Sequence, residues 1–84
     1  MKAPDDFSFL LKIEHLKSRL SRVASQSMQA KSKRQQMALV GHAVGLYEAL
    51  IHFGVTRNDA DAVLLYKVRY EDVEAFSTLF HQLR

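Results

Sequence analysis

The chain has 84 residues, no Cys and a net charge of +3, so it is long enough for one domain with a modest hydrophobic core. The absence of Cys excludes disulfides, thiolate nucleophiles and cysteine-bound zinc. An apolar fraction of 48% argues against a disordered chain.

Positive charge is concentrated in the first half of the chain. Residues 1–40 hold eight Lys or Arg against three Asp or Glu, whereas residues 41–84 hold four against six. This asymmetry suits an anionic partner for the first half, or a head-to-tail contact between two copies of the chain.

The chain shows neither a secretory signal nor a membrane-spanning pattern. Asp5 and Asp6 occupy the start, where a secretory signal needs an apolar run. The apolar stretch 37–55 is interrupted by His42, Glu48 and His52, so it is too polar to span a bilayer. We therefore expect a cytoplasmic protein with no membrane partner.

Helix is predicted throughout, because only one Pro and three Gly occur and no alternating apolar and polar run appears. The predicted fold class is all-α, a single domain made of a small bundle of three to four helices that dimerisation would complete. The predicted helices cover about 5–28, 33–53, 57–68 and 70–83.

The first helix follows the carboxylates Asp5 and Asp6, which favour a positive helix end. Its apolar residues recur at spacings of three and four, namely Phe9, Ile13, Leu16, Leu20 and Val23. The predicted break before helix two is at Ser32, which stands three residues before Gln35 as in a capping box. The alternative is one continuous helix over 5–53.

The second helix has apolar residues nearly all the way round, which is typical of a central helix. Gly54 suits the left-handed position after its end, and Thr56 begins a new cap with Asp59 at the third position. Beyond this boundary we expect a bend near Arg69 or Tyr70.

No motif indicates catalysis, a phosphate loop or a cofactor site, so we expect no enzyme activity, no cofactor and no small-molecule substrate. Glu48 and His52 stand at i and i+4, a spacing that fits two metal ligands. A polar stripe on helix two explains the same pair, and we predict no metal site.

A line of small residues runs along helix two at Ala38, Gly41, Gly45 and Ala49. Each Gly costs about 1 kcal/mol relative to Ala inside a helix, so a packing reason is expected. The alternatives are a close contact between helices one and two, or an interface with another chain. The predicted interface comprises Gly41, Gly45, Ala49, Tyr47, His42 and His52.

A basic stripe runs along helix one, where Lys12, His15, Arg19, Arg22 and Gln26 recur at spacings of three and four. Such a stripe is either a solvated helix face or a site for nucleic-acid phosphates. The candidate nucleic-acid contacts are Lys12, Arg19, Arg22, Lys31, Lys33, Arg34 and Arg57.

A second route to nucleic acid is the segment 49–68, where Gly54-Val55-Thr56-Arg57 resembles the turn of a helix-turn-helix motif. Two features depart from that motif. Leu50 stands where the motif needs a small residue, and the would-be recognition helix opens with carboxylates that phosphates repel.

We therefore expect a non-enzymatic regulatory or adaptor protein that binds other proteins through its helices as a homodimer. The alternative is a nucleic-acid-binding regulator that uses the basic stripe or the segment 49–68.

Overall fold

The computed structural model describes the backbone of residues 3–84 and the side chains from Phe7 onward. Four α-helices follow along the chain, with one 3-10 turn (Tyr70–Asp72) before the last, and no strand occurs in this range. The helices are α1 (Ala3–Met28), α2 (Lys33–His52), α3 (Arg57–Leu65) and α4 (Val73–Leu83). The predicted small all-α bundle is confirmed. The side chains of Asp5 and Asp6, to which the sequence assigns a helix-start role, lie outside the described residues.

The first two helices are separate and are joined by residues 29–32. Ser32 is the N-cap of α2, and its Oγ accepts a hydrogen bond from the Gln35 backbone N–H at 3.1 Å. Across the turn, the Gln36 side-chain amide donates to the Ser27 carbonyl oxygen at 3.2 Å. These bonds stabilise a chain reversal in a segment that has neither Gly nor Pro. The single long helix considered as the alternative therefore does not form.

The end of α2 is closed by a glycine in the left-handed region. Gly54 has φ +101°, a backbone conformation that residues with a Cβ rarely adopt. Its N–H donates to the Ile51 carbonyl oxygen, and the Val55 N–H donates to the Leu50 carbonyl oxygen, both at 3.0 Å. This pair of bonds is a Schellman motif, which satisfies the last carbonyls of the helix.

The second half of the chain contains two short helices separated by a bend. Thr56 caps α3, because its Oγ1 accepts from the Asp59 N–H at 3.2 Å. The helix ends at Leu65, earlier than the predicted 68, and Arg69 is extended with φ −66° and ψ 145°. The bend is thus at the predicted place.

The four helices bury one hydrophobic core. α1 and α2 pack along each other, α3 contacts both of them, and α4 packs mainly on α2. Each helix contributes apolar side chains at helical spacing, and the most buried include Leu20, Val40, Leu50, Ala60 and Phe76. Every buried side-chain nitrogen or oxygen among the described residues has a hydrogen-bond partner.

Helix α2 is central to the bundle, but only part of its circumference is covered. Its buried residues are Val40, Ala43, Tyr47 and Leu50, whereas Gly41 and its neighbours on the opposite side are exposed. The prediction that apolar residues cover α2 nearly all the way round is therefore wrong. The large apolar residues follow one broad side of the helix, and the side that carries Ala38, Gly41 and Gly45 has no large apolar residue to bury.

Tyr47 joins α2 to the two helices that follow it. Its ring is 1% exposed and meets the Phe80 ring edge to face at 5.2 Å. Its hydroxyl donates to Asp61 Oδ1 at 2.7 Å, while the Arg84 guanidinium lies 4.8 Å from the ring centroid. Arg84 Nε also donates to Glu48 Oε2 at 2.7 Å. One side chain thus contacts α3, α4 and the residue that follows α4.

We predict that Tyr47→Phe lowers the free energy of unfolding by about 1 kcal/mol, because the ring stays and the hydrogen bond to Asp61 is lost. Burial, and then the bond to Asp61, raise the pKa of Tyr47 above 10.0. The stabilisation that the Tyr47 hydroxyl contributes is therefore complete below pH 10 and is lost as pH rises through the raised pKa. Denaturant unfolding should therefore show that the difference in free energy of unfolding between the parent and Tyr47→Phe becomes smaller at alkaline pH.

The control for this experiment is Tyr70→Phe, since Tyr70 is fully solvated in the bend. It should leave stability unchanged within about 0.5 kcal/mol. A Tyr47→Phe protein as stable as the parent at neutral pH would contradict the role given to the hydroxyl.

Candidate interaction surfaces

The small-residue face of α2, which comprises Ala38, Gly41, Gly45 and Ala49, is turned away from the core. Ala38 and both glycines are exposed, and Ala49 is half-buried. A Cβ added at Gly41 or Gly45 would meet no atom within 4 Å. The first explanation of the glycines, a close contact between helices one and two, is therefore wrong, because α1 packs against a different side of α2.

The structure separates the predicted interface residues into two groups. His42 and His52 are exposed on α2 beside the small-residue face. Tyr47 is buried and engaged with α3 and α4, so its place in the predicted interface has to be corrected. Tyr47 stands two residues after Gly45, which places it on the opposite side of α2 from the glycines, and that side faces the core.

A second surface, the apolar end, consists of Phe7, Phe9, Leu10, Leu11 and Phe53. Phe7 is 64% exposed, Leu10 60% and Leu11 54%. The other two rings, also exposed, meet edge to face at 5.7 Å, where the start of α1 passes the end of α2. Five large apolar side chains thus gather at one end of the bundle.

Sequence reasoning missed the apolar end. Phe9 was assigned to the buried face of helix one, and Phe7, Leu10 and Leu11 were not singled out. One signal was present, because the run Phe9-Leu10-Leu11 places apolar residues on more than one side of a helix. A helix with such a run needs cover on several sides, and here α2 ends too early to supply it.

The apolar end and the small-residue face adjoin each other. His52 follows Gly45 and Ala49 along α2 at helical spacing, and its ring meets the Phe53 ring at 5.6 Å. Phe53 in turn contacts Phe9. Through the rings of His52, Phe53 and Phe9, the small-residue face therefore borders one part of the apolar end.

The basic stripe of α1 is entirely in solvent. Lys12, His15, Arg19, Arg22 and Gln26 are all exposed, and so are the additional cations Lys31, Lys33 and Arg34 around the turn to α2. Among the described residues, none of these Lys and Arg side chains has a carboxylate within salt-bridge distance. The stripe is therefore a positive surface that no described carboxylate neutralises.

Arg57 lies apart from that stripe, exposed in the first turn of α3. The helix-turn-helix resemblance would make α3 the recognition helix, but α3 has only nine residues. Its Asp61 accepts the hydrogen bond of Tyr47, and Leu50 is fully buried beneath it. This short acidic helix offers one cation to a phosphate.

Glu48, one of the two residues with metal-ligand spacing, has a protein partner in the structure. Glu48 accepts a hydrogen bond from Arg84, and no three His, Asp or Glu side chains gather as metal ligands in the described part of the chain. Nor is any helix within residues 3–84 long and apolar enough to cross a membrane.

Comparison of the chain with protein-family models, with curated proteins and with solved structures gave no match.

Proposed function

We propose that this protein is a non-enzymatic adaptor or regulatory protein that binds other proteins through its helices, and that it self-associates as a homodimer. The observation that carries the proposal is the apolar end, with Phe7, Leu10 and Leu11 all more than half exposed. Contiguous exposed apolar side chains are typical of protein interfaces. A small domain also gains stability when association covers such a surface.

The small-residue face supports a helix as the occupant of the adjoining surface. In the isolated subunit Gly41 and Gly45 each cost about 1 kcal/mol relative to Ala, and no neighbouring atom requires the missing Cβ. A second helix packed closely along α2 would leave no room for a Cβ at these two positions, because small residues allow two helix backbones to approach. Such a contact would explain why both positions are Gly.

Charge on α2 favours a second copy of the same chain as that helix. Arg34 stands near the start of α2 and Glu48 near its end. In an antiparallel pair of α2 helices centred between Gly41 and Gly45, Arg34 of one copy lies opposite His52 of the other, about one helical turn from its Glu48. The Arg34 side chain then adds to the positive charge that Arg84 already places beside Glu48, at both edges of a twofold contact.

We predict that Gly41→Ala and Gly45→Ala weaken the dimer while they stabilise the monomer. Methyl groups in a close helix contact cost about 1–3 kcal/mol, whereas the same changes in an exposed helix gain about 1 kcal/mol each. Thermal unfolding across a wide range of protein concentration should therefore show a midpoint above that of the parent when dilute and below it when concentrated.

A matched control is Ser18→Ala, an exposed change on α1 that also improves helix propensity. It should raise the midpoint at every concentration. If sedimentation finds the parent protein monomeric throughout, or if the glycine variants are more stable at all concentrations, self-association through this face is wrong.

A second prediction concerns the apolar end. Leu10→Asp combined with Leu11→Asp should weaken self-association at least tenfold, because two carboxylates must then be desolvated in the contact. Both side chains are more than half exposed, so the dilute monomer should keep its stability within about 1 kcal/mol. Analytical ultracentrifugation measures the first effect and circular dichroism the second.

Tyr70→Asp serves as the control for this pair, since Tyr70 is 93% exposed and belongs to the 3-10 turn before α4, outside both surfaces. It should leave the dimer intact. If the Leu10/Leu11 variant dimerises as strongly as its parent, the apolar end is not part of the self-association surface.

A further inference from the structure

The basic stripe has a regular geometry on the outside of the bundle. Lys12, Arg19 and Arg22 share one solvent face of α1, while Ile13 and Leu20 on the other face are buried. The three cations span ten residues, which is about 15 Å along a helix axis. One strand of duplex DNA places about four phosphates over this length.

Three further cations continue the stripe at the turn to α2. Lys31, Lys33 and Arg34 are exposed, and the first turn of α2 contains no acidic residue. Cations at the positive end of a helix are electrostatically unfavourable. Gln26 and Gln35 lie between the two groups and line a shared groove with Lys31, where their amides are available as hydrogen-bond donors.

The carboxylates of the described residues lie away from this surface. Glu14 pairs with Lys17 at 3.4 Å, and Glu48 pairs with Arg84 at 2.7 Å. All remaining described carboxylates belong to residues 57–84. Six cations in α1, the turn and the start of α2 therefore face solvent with no described carboxylate within salt-bridge distance, whereas most of the described acidic groups belong to the second half.

We infer that the basic stripe binds the phosphate backbone of a nucleic-acid duplex without reading its sequence. Phe9 and Phe53 share a groove with Lys12 and His15 at one end of the stripe, but no Phe, Tyr or Trp occurs in residues 15–35, which carry the other cations. Platforms on which unpaired bases would stack are therefore confined to that end. The exposed apolar side chains of α1, Phe7, Leu10 and Leu11, are likewise confined to its start, whereas Leu20 and Val23 farther along are buried, so the apolar face of an interfacial helix does not accompany the stripe. A linear array of exposed Lys and Arg matches a linear array of phosphates.

The first experiment measures binding of the full chain to a labelled DNA duplex of mixed sequence by fluorescence anisotropy across a salt series. The logarithm of affinity should fall linearly with the logarithm of salt concentration, with a slope of about −0.9 for each phosphate contacted. Scrambling the sequence should not change the affinity. Salt-independent binding, or no binding at low salt, would overturn the inference.

The decisive variant is Arg19→Glu combined with Arg22→Glu. It should weaken duplex binding at least tenfold and reduce the salt slope by about two, with thermal unfolding unchanged because both side chains are exposed. Arg57→Glu combined with Lys67→Glu alters net charge equally and lies outside the stripe, so it should retain most of the affinity. If this control loses binding and the stripe variant keeps it, the turn before α3 is the site and the stripe is not.

Two further probes identify the source of the phosphates. An RNA duplex of the same sequence shows whether the stripe prefers DNA or RNA, and tighter binding to either supports a duplex site. Vesicles containing phosphatidylserine test the lipid alternative. Binding to vesicles without binding to either duplex would contradict the inference. The assay is run at concentrations below and above self-association, so that loss of the dimer and loss of the stripe are separately visible.

Discussion

The packing of Tyr47 determines how the second half of the chain sits on the first. Its ring is buried against Phe80, its hydroxyl bonds Asp61, and Arg84 closes over its face. Helices α3 and α4 are short, and isolated helices of that length are marginal in water. They depend on docking to α2, and Tyr47 supplies a polar and an aromatic contact at the same point.

The same docking leaves the two proposed surfaces free. Because α3 and α4 cover one side of the α1 and α2 pair, the basic stripe of α1 and the small-residue face of α2 remain in solvent. The apolar end adjoins both of them, since Lys12 and His15 share a groove with Phe53. The proposed protein contact centres on α2 and the proposed phosphate contact on α1, and Arg34 at the start of α2 takes part in both.

Features fixed by local chemistry could be predicted from the sequence. The cap at Ser32, the left-handed Gly54 and the bend near Arg69 each depend on a few neighbouring residues, and all three are present. Exposure of the basic stripe followed from helical spacing alone. Periodicity does not predict how two helices are placed relative to each other.

Helical spacing places Tyr47 and the glycines on opposite sides of α2, but it does not show which side receives the neighbouring helices, and the exposure of Gly41 depends on that placement. The apolar end depends on relative helix length, as α1 has 26 residues and α2 has 20. The predicted bounds already make the first helix longer, but they do not show which side chains at its start are left uncovered.

The three glycines of the chain differ in the mutations they would tolerate. Gly54 is held by a positive φ, so every substitution there is penalised in any state of assembly. At Gly41 and Gly45 the subunit alone would accept Ala. The fold of the subunit therefore requires only the first, and the other two would be required only by the proposed self-association. If α2 self-associates as proposed, a mutational scan that scores abundance would conserve one glycine, whereas a scan that scores association would conserve all three.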